Sequence, residues 1–205
     1  MEAPLTAPRA PLPSGRRAGG GLTKDEVVAI QRSRMLFAMV EAVADQGYST
    51  VSVADVVRLA GVSRATFYEQ FQDKQDCFVS AFDAAVGVIF GDVELPSGTD
   101  PAAFGPLLAG YLDSIVTHAT FAKVFLIEIY AVGPEGARRR AESQSVFAEA
   151  IASMFGVTDE RGRFAAEALV AAVSTMVTSL LAVGDLDGIR ALHAPITRLA
   201  DELLR

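Results

Sequence analysis

Cysteine is almost missing from this 205-residue chain: Cys77 stands alone. A single thiol closes no internal disulfide and excludes every multi-cysteine metal module. Two histidines, His118 and His193, leave little for a histidine-based metal centre. Tryptophan is absent, and basic charge is in deficit, with 18 Lys+Arg against 25 Asp+Glu for a net of −7. That balance argues at first sight against nucleic acid. The most apolar stretch, Ala168–Gly184, falls short of the roughly 20 residues a spanning helix needs. It is alanine-rich and carries Ser174, Thr175, Thr178 and Ser179, so it reads as a helix buried on nearly all sides by protein. The N-terminus lacks the apolar segment of a secretory signal. These absences point to a cytoplasmic protein with no membrane partner and a reduced thiol.

What is present can build a core. Hydrophobic residues make up 51% and charged residues 21%, which excludes a mostly disordered chain. The charge is also split. Residues 1–34 carry Arg9, Arg16, Arg17, Lys24, Arg32 and Arg34 against three acids, residues 35–80 carry the opposite imbalance, and the whole net negative charge lies beyond residue 80. Two halves with different partners are implied. Residues 1–22 hold four of the nine prolines, four glycines and three arginines, the composition of a flexible arm. That arm reads either as a solvated tail or as a tether bringing Arg16 and Arg17 to phosphate or a minor groove.

Apolar residues recur with helical spacing along almost the whole chain, and no strand alternation is sustained. The fold class is all-α, with about nine helices. Thr23-x-x-Glu26 forms a capping box for a first helix ending near Gln46, before Gly47. Met35, Ala38, Met39, Ala42 and Val43 form its apolar stripe. Ser52 and Asp55 open a second helix over 53–60, Ser63 a third through about Phe71, and Asp73 a fourth over 74–90. A loop is expected over 91–100. Helices then follow at about 101–118, 120–132, 134–155, 159–184 and 187–204, with Pro195 kinking or interrupting the last.

The stretch Ser52–Phe71, SVADVVRLAGVSRATFYEQF, carries the function. Two short helices meet at a turn containing Gly61, which is the pattern of a helix-turn-helix whose second helix enters the major groove. Val56 and Leu59 give the first of them a buried side, and Phe67 and Phe71 anchor the second. Ser63 and the amides behind it face phosphate at a positive helix end. Arg64 reaches guanine edges or phosphate, Ala65 admits a thymine methyl, and Thr66 and Tyr68 offer hydroxyls. Lys74 adds positive charge at the next helix start.

Residues 34–82 resemble the N-terminal domain of TetR-family transcriptional regulators. The matching residues are Arg34-Met35-Leu36, Gly47-Tyr48, Ser52-Val53-Ala54-Asp55, Ala60-Gly61-Val62-Ser63, Thr66, Tyr68-x-x-Phe71 and Lys74. The resemblance implies a flexible arm over 1–22, a DNA-binding domain over 23–73 and a helical effector-binding and dimerisation domain over 74–205. It implies a homodimer that binds double-stranded operator DNA and acts as a ligand-responsive repressor. Ser52, Ser63, Arg64, Ala65, Thr66, Tyr68 and Lys74 occupy its DNA-contacting positions. Glu69 and Gln70 stand where many members are basic, so the DNA face is only weakly positive.

The acidic C-terminal half is rich in aromatics, which are core or pocket. Tyr111, His118, Phe125, Glu128 and Tyr130 are the candidates for a pocket taking a small apolar effector. Acidic surroundings favour a neutral or cationic effector over an anion, unless Arg138-Arg139-Arg140 faces inward instead of into solvent. Ala168, Ala171, Ala172, Thr175 and Ser179 form a small-residue face, and Ile189, Leu192, Ile196, Leu199 and Leu203 a larger stripe. Together they suggest a four-helix dimer interface. The competing readings are an all-helical enzyme and a helix-turn-helix assembly module without DNA binding. Neither a phosphate-binding GxxxxGK nor a GxSxG nucleophile motif occurs, and Gly19-Gly20-Gly21 follows no strand.

Overall fold

The computed structural model describes residues 22–91 and 99–205, and among them there is no strand. Almost all of the expected arm, with Arg16 and Arg17, lies outside the described residues, as does most of the 91–100 loop. Among the described residues ten α-helices run in order: α1 Lys24–Gln46, α2 Val53–Ala60, α3 Arg64–Tyr68, α4 Lys74–Gly91, α5 Phe104–Thr117, α6 Ala119–Leu126, α7 Pro134–Met154, α8 Glu160–Val183, α9 Leu186–Ala191 and α10 His193–Leu204. Single 3-10 turns cover Pro101–Ala103 and Glu128–Val132.

The chain forms two compact units that divide between Val88 and Ile89. That division lies within α4, later than the 73/74 boundary drawn from the sequence. The N-terminal unit takes in most of α4 because Cys77, Phe78, Val79, Ala81, Phe82 and Ala85 are all buried.

In the N-terminal unit local chemistry sets the helix ends. Thr23 and Glu26 form the expected capping box, and so do Ser52 and Asp55. Asp73 Oδ1 accepts from the Asp76 amide at 2.9 Å and caps α4. The whole stripe of Met35, Ala38, Met39, Ala42 and Val43 is buried. Two details differ from the sequence reading. Leu59 is exposed, so α2 buries Val56 and Ala60 alone. The third helix stops at Tyr68, and Glu69 and Gln70 continue as a turn.

The C-terminal unit is an all-helical core. Phe104, Leu108, Leu112, Ile115, Leu169, Val177, Leu181, Ile189 and Ile196 belong to one buried cluster. The helix expected over 120–132 tightens into the 3-10 turn before the Gly133-Pro134 corner, a common form of helix end. The last expected helix breaks at Leu192. Pro195 has no N–H to give the Ala191 carbonyl, so the chain restarts at His193 with the proline inside a new first turn. His193 Nε2 lies 3.0 Å from the Gly105 carbonyl and ties α10 to α5.

Ile189 and Ile196 point into this unit's own core, so the larger stripe is not a free face; of its five residues only Leu203 is exposed. Nor is α8 buried on nearly all sides. Ala166, Leu169, Val177 and Leu181 are inside, while Phe164, Ala168, Ala171, Thr175, Met176, Ser179 and Val183 are open. By length and composition alone, α8 is apolar enough to cross a membrane.

Candidate functional site

The second motif helix is positioned by its buried side. Phe67 is 0% exposed. Its ring centroid lies 5.4 Å from Phe71 in a tilted pair and 5.4 Å from Tyr68 edge-on. Aromatic pairs in this range add to their burial, so α3 is fixed against the core despite its short length. Gly61 makes the preceding turn in the left-handed region at φ 64°, where glycine carries no steric penalty. Arg34 Nη2 lies 2.9 Å from where a Cβ would stand there, so the turn also packs under that arginine.

Arg32 is a clamp that the sequence reading counted only as charge. Its guanidinium donates to the Gln70 carbonyl and to Ser80 Oγ, each at 3.2 Å, and sits 4.4 Å from the Phe71 ring centroid. It thereby joins α1 to the end of the motif and to α4. An arginine four residues before the buried Leu36 was the available signal, but its partners lie 38 and 48 residues away along the chain.

The opposite side of α3 is open. Ser52, Ser63, Arg64, Ala65 and Tyr68 are exposed, and Thr66 and Lys74 are half-buried. Arg64 and Tyr68, one turn apart, lie together: Nη2 approaches the phenol oxygen at 3.4 Å and Cζ is 5.7 Å from the ring centroid. The Ser63 hydroxyl is engaged in capping. It accepts from the Thr66 amide at 3.0 Å and shares a 2.9 Å bond with Thr66 Oγ1. Ser52 is engaged similarly with Asp55, and those bonds hold the Asp55 carboxyl below its usual range. Lys74 Nζ donates to the Tyr48 carbonyl at 2.8 Å and lies 4.2 Å from that ring centroid. Partial burial lowers its pKa. Gln70 is turned inward, its amide 3.5 Å from the Val28 carbonyl, while Glu69 remains exposed.

The five pocket candidates lie at different depths in the C-terminal unit. Phe125 is buried, Tyr111 and Glu128 are half-buried, His118 is exposed between α5 and α6, and Tyr130 is 54% exposed. Burial raises the Tyr111 phenol above its ordinary value, and the Arg140 charge pulls it back. The arginine run divides. Arg138 is exposed between Glu135 and Glu142, and Arg139 reaches Glu142 at 3.4 Å. Arg140 is buried, which overturns a solvated face for this third arginine: the helical turn carries its side chain inward toward α8. Among the described residues no three His, Cys, Asp or Glu side chains are placed to hold a metal ion.

A glycine turn, a short helix pinned by two phenylalanines and an open face of arginine, tyrosine and hydroxyls define a helix-turn-helix DNA-binding protein. Residues 36–81 match the family described as bacterial regulatory proteins, tetR family. An HTH-type transcriptional regulator of Mycobacterium bovis is 27% identical over 137 residues, covering 63% of this chain and 67% of the relative. Among solved structures, the fatty acid degradation regulator FadR of Bacillus halodurans has a TM-score of 0.70 at 20% identity, covering 85% of this chain and 96% of that one. FadR of Bacillus subtilis, in complex with stearoyl-CoA, has a TM-score of 0.68 at 17% identity over 82% of this chain and 96% of its own. A TetR regulator of Rhodococcus has a TM-score of 0.64 at 20% identity, covering 85% and 96%. The structural likenesses fix the fold. Residues 36–81 thus carry the DNA-binding domain of the tetR family, and the chain is a DNA-binding transcriptional regulator and not an enzyme.

Proposed function

We propose that this regulator is a homodimeric, ligand-responsive repressor whose exposed α3 face reads operator DNA in the cytoplasm. The observation that carries the DNA-contacting face is the paired, exposed Arg64 and Tyr68 on a helix whose other side is anchored by Phe67. Arg64, Ala65 and Thr66 meet base edges, while Tyr68 and Lys74 meet phosphate. Ser52 and Ser63 contribute mainly by capping the helices that present them. The Lys74 ammonium has three donors, so its bond to Tyr48 positions the charge and leaves donors for phosphate.

The open face of α8 is the dimer face. Ala168, Ala171, Thr175 and Ser179 allow close helix approach, and Phe164, Met176 and Val183 supply apolar area. A second copy of α8 explains this face without a bilayer. Effector binding in the C-terminal unit changes the setting of α4 and so the separation of the two recognition helices, which must match half-sites about one helical turn apart. The stearoyl-CoA bound by the Bacillus subtilis neighbour supports an effector that carries a long apolar chain.

The test is fluorescence anisotropy of operator fragments taken from the flanking intergenic DNA. Arg64→Ala and Tyr68→Ala should each weaken binding by about 1–3 kcal/mol with unchanged thermal unfolding. Wild-type affinity in both variants at low salt would remove α3 from the interface.

A further inference from the structure

Arg140 is the only charged residue buried among the described residues, at 6% exposure. Its Nη2 donates to Ser174 Oγ on α8 at 2.5 Å. Its Nε has no hydrogen-bond partner, and among the described residues no carboxylate pairs with it. One turn further along α7, the Ser143 hydroxyl is also buried without a partner. Positions three apart share a helix face, so two unmet polar groups look the same way from α7. A guanidinium stays protonated at any physiological pH and carries five donors. Burying that charge without an opposite one is costly. Tyr111 on α5 lies within reach of the Arg140 field, as the pull on its phenol shows.

The rest of the buried interior of this unit is apolar. A group that completes Arg140 must therefore bring one compact negative charge, and the remainder of its molecule must suit an apolar interior. A carboxylate fits the planar guanidinium fork in two parallel bonds and can accept from a serine hydroxyl as well.

We propose that Arg140, Ser143 and Ser174 form the seat for the carboxylate of an apolar organic acid. This names the chemical class of the effector and rests on the effector reading above. It reverses the sequence-based preference for a neutral or cationic ligand, because that preference weighed the net charge of the half and not the one charge inside it.

The experiment uses the full chain with octanoate, decanoate, dodecanoate and 4-phenylbutyrate, their matching alcohols, and decanoyl-CoA. Binding is read by calorimetry and thermal shift, and release of operator by anisotropy. At least one acid should bind tenfold or more tightly than its alcohol and raise the Tm. Arg140→Met should lose that binding tenfold or more while the unliganded Tm stays level or rises, since an apolar replacement relieves a buried unpaired charge. A purely structural Arg140 would instead lower the Tm and leave any acid binding intact. If Arg140→Met does not fold, Ser143→Ala decides: a several-fold loss of acid affinity supports the seat, and unchanged affinity overturns it.

Absence of binding by every acid overturns the seat. Equal binding of acids and alcohols, or binding of decanoyl-CoA alone, also overturns it. Acids that bind through Arg140 yet leave the operator bound keep the seat and break the effector reading. Alcohols that release operator where acids do not keep the effector reading and overturn the seat.

Discussion

The two units handle their arginines in opposite ways. In the N-terminal unit every arginine from 32 to 64 has a defined surface or clamping task. Arg32 lies over Phe71 and bonds the chain at two points, Arg34 covers the Gly61 turn, Arg58 pairs with Asp55, and Arg64 leans on Tyr68. In the C-terminal unit the 138–140 run puts two arginines among acids at the surface and one inside without an acid. The first arrangement stabilises the face proposed to read DNA, which must keep its shape on binding. The second leaves polar capacity unmet inside the unit, which is the condition for responding to a ligand: a fully satisfied core has nothing to gain from one.

The sharpest way to break this contrast is to remove the anchor of α3. Phe67→Ala should cost about 3–5 kcal/mol, the usual range for deleting a fully buried aromatic. The loss should appear as melting of the N-terminal unit ahead of the C-terminal unit in calorimetry, together with loss of operator binding. A single unchanged transition would show that α3 is not held by this ring.

The matching insult to the C-terminal unit is Gly136→Ala. A Cβ at this buried glycine would collide with the backbone carbonyl oxygen of Ile129 and crowd Val132. Neither the 3-10 turn nor the helix start can yield easily, so overpacking should cost about 1–3 kcal/mol. Urea unfolding should show a lower midpoint with operator affinity of the surviving folded protein intact. An unchanged midpoint would mean that the 3-10 turn shifts freely.

These two residues also mark what the sequence made legible. Phe67 and Phe71 stand four apart beside a glycine turn and a capping serine, so their burial follows from local spacing, as do the capping boxes at Thr23 and Ser52. Gly136 and Arg140 carry no such mark. Whether a glycine in a helix is a tight crossing, or an arginine in a run is the inward one, depends on the phase of α7 against α8 and the 128–132 turn. That phase is a tertiary fact. For the same reason the stripe of Ile189 and Ile196 reads from the sequence as a partner face, whereas the structure buries both residues in the unit's own core. The exposed α3 face was legible because its signals lie within about forty residues of one another. The proposed pocket was not: its candidates lie within twenty residues, from Tyr111 to Tyr130, yet packing sets them at different depths, from buried Phe125 to exposed Tyr130.

A smaller effect separates the units by pH. Burial pushes the Cys77 thiol up to about 12. Its folded pKa is raised, so its contribution to stability is fully present below the ordinary thiol value and is lost as pH rises toward 12. Each unit of pH in that window removes about 1.4 kcal/mol from the N-terminal unit. Calorimetry between pH 8 and 11 should show that unit losing stability more steeply in the wild type than in Cys77→Ala. Parallel slopes in the two proteins would show that the thiol ionises in the folded state. Tyr48, also raised by burial, acts in both proteins alike and drops out of the comparison.

The smallest expected effect tests whether the serines before α2 and α3 act as caps or as contacts. Ser52 Oγ accepts from the Asp55 amide at 3.3 Å and donates to its carboxylate at 2.6 Å, while Asp55 also accepts from the Ser52 amide at 3.1 Å. Ser52→Ala removes the side-chain half of this box and should cost about 1 kcal/mol of stability. Ser52→Asp preserves an acceptor for the amide but places a second carboxylate beside Asp55 and adds negative charge at the DNA face. If Ser52 serves mainly as a cap, the alanine variant loses stability and binds operator nearly as well as wild type. If it serves mainly as a phosphate contact, the alanine variant keeps its midpoint and loses affinity. The aspartate variant should weaken operator binding in either case, most strongly at low salt where phosphate repulsion is least screened, and so it reports whether this helix start faces DNA at all.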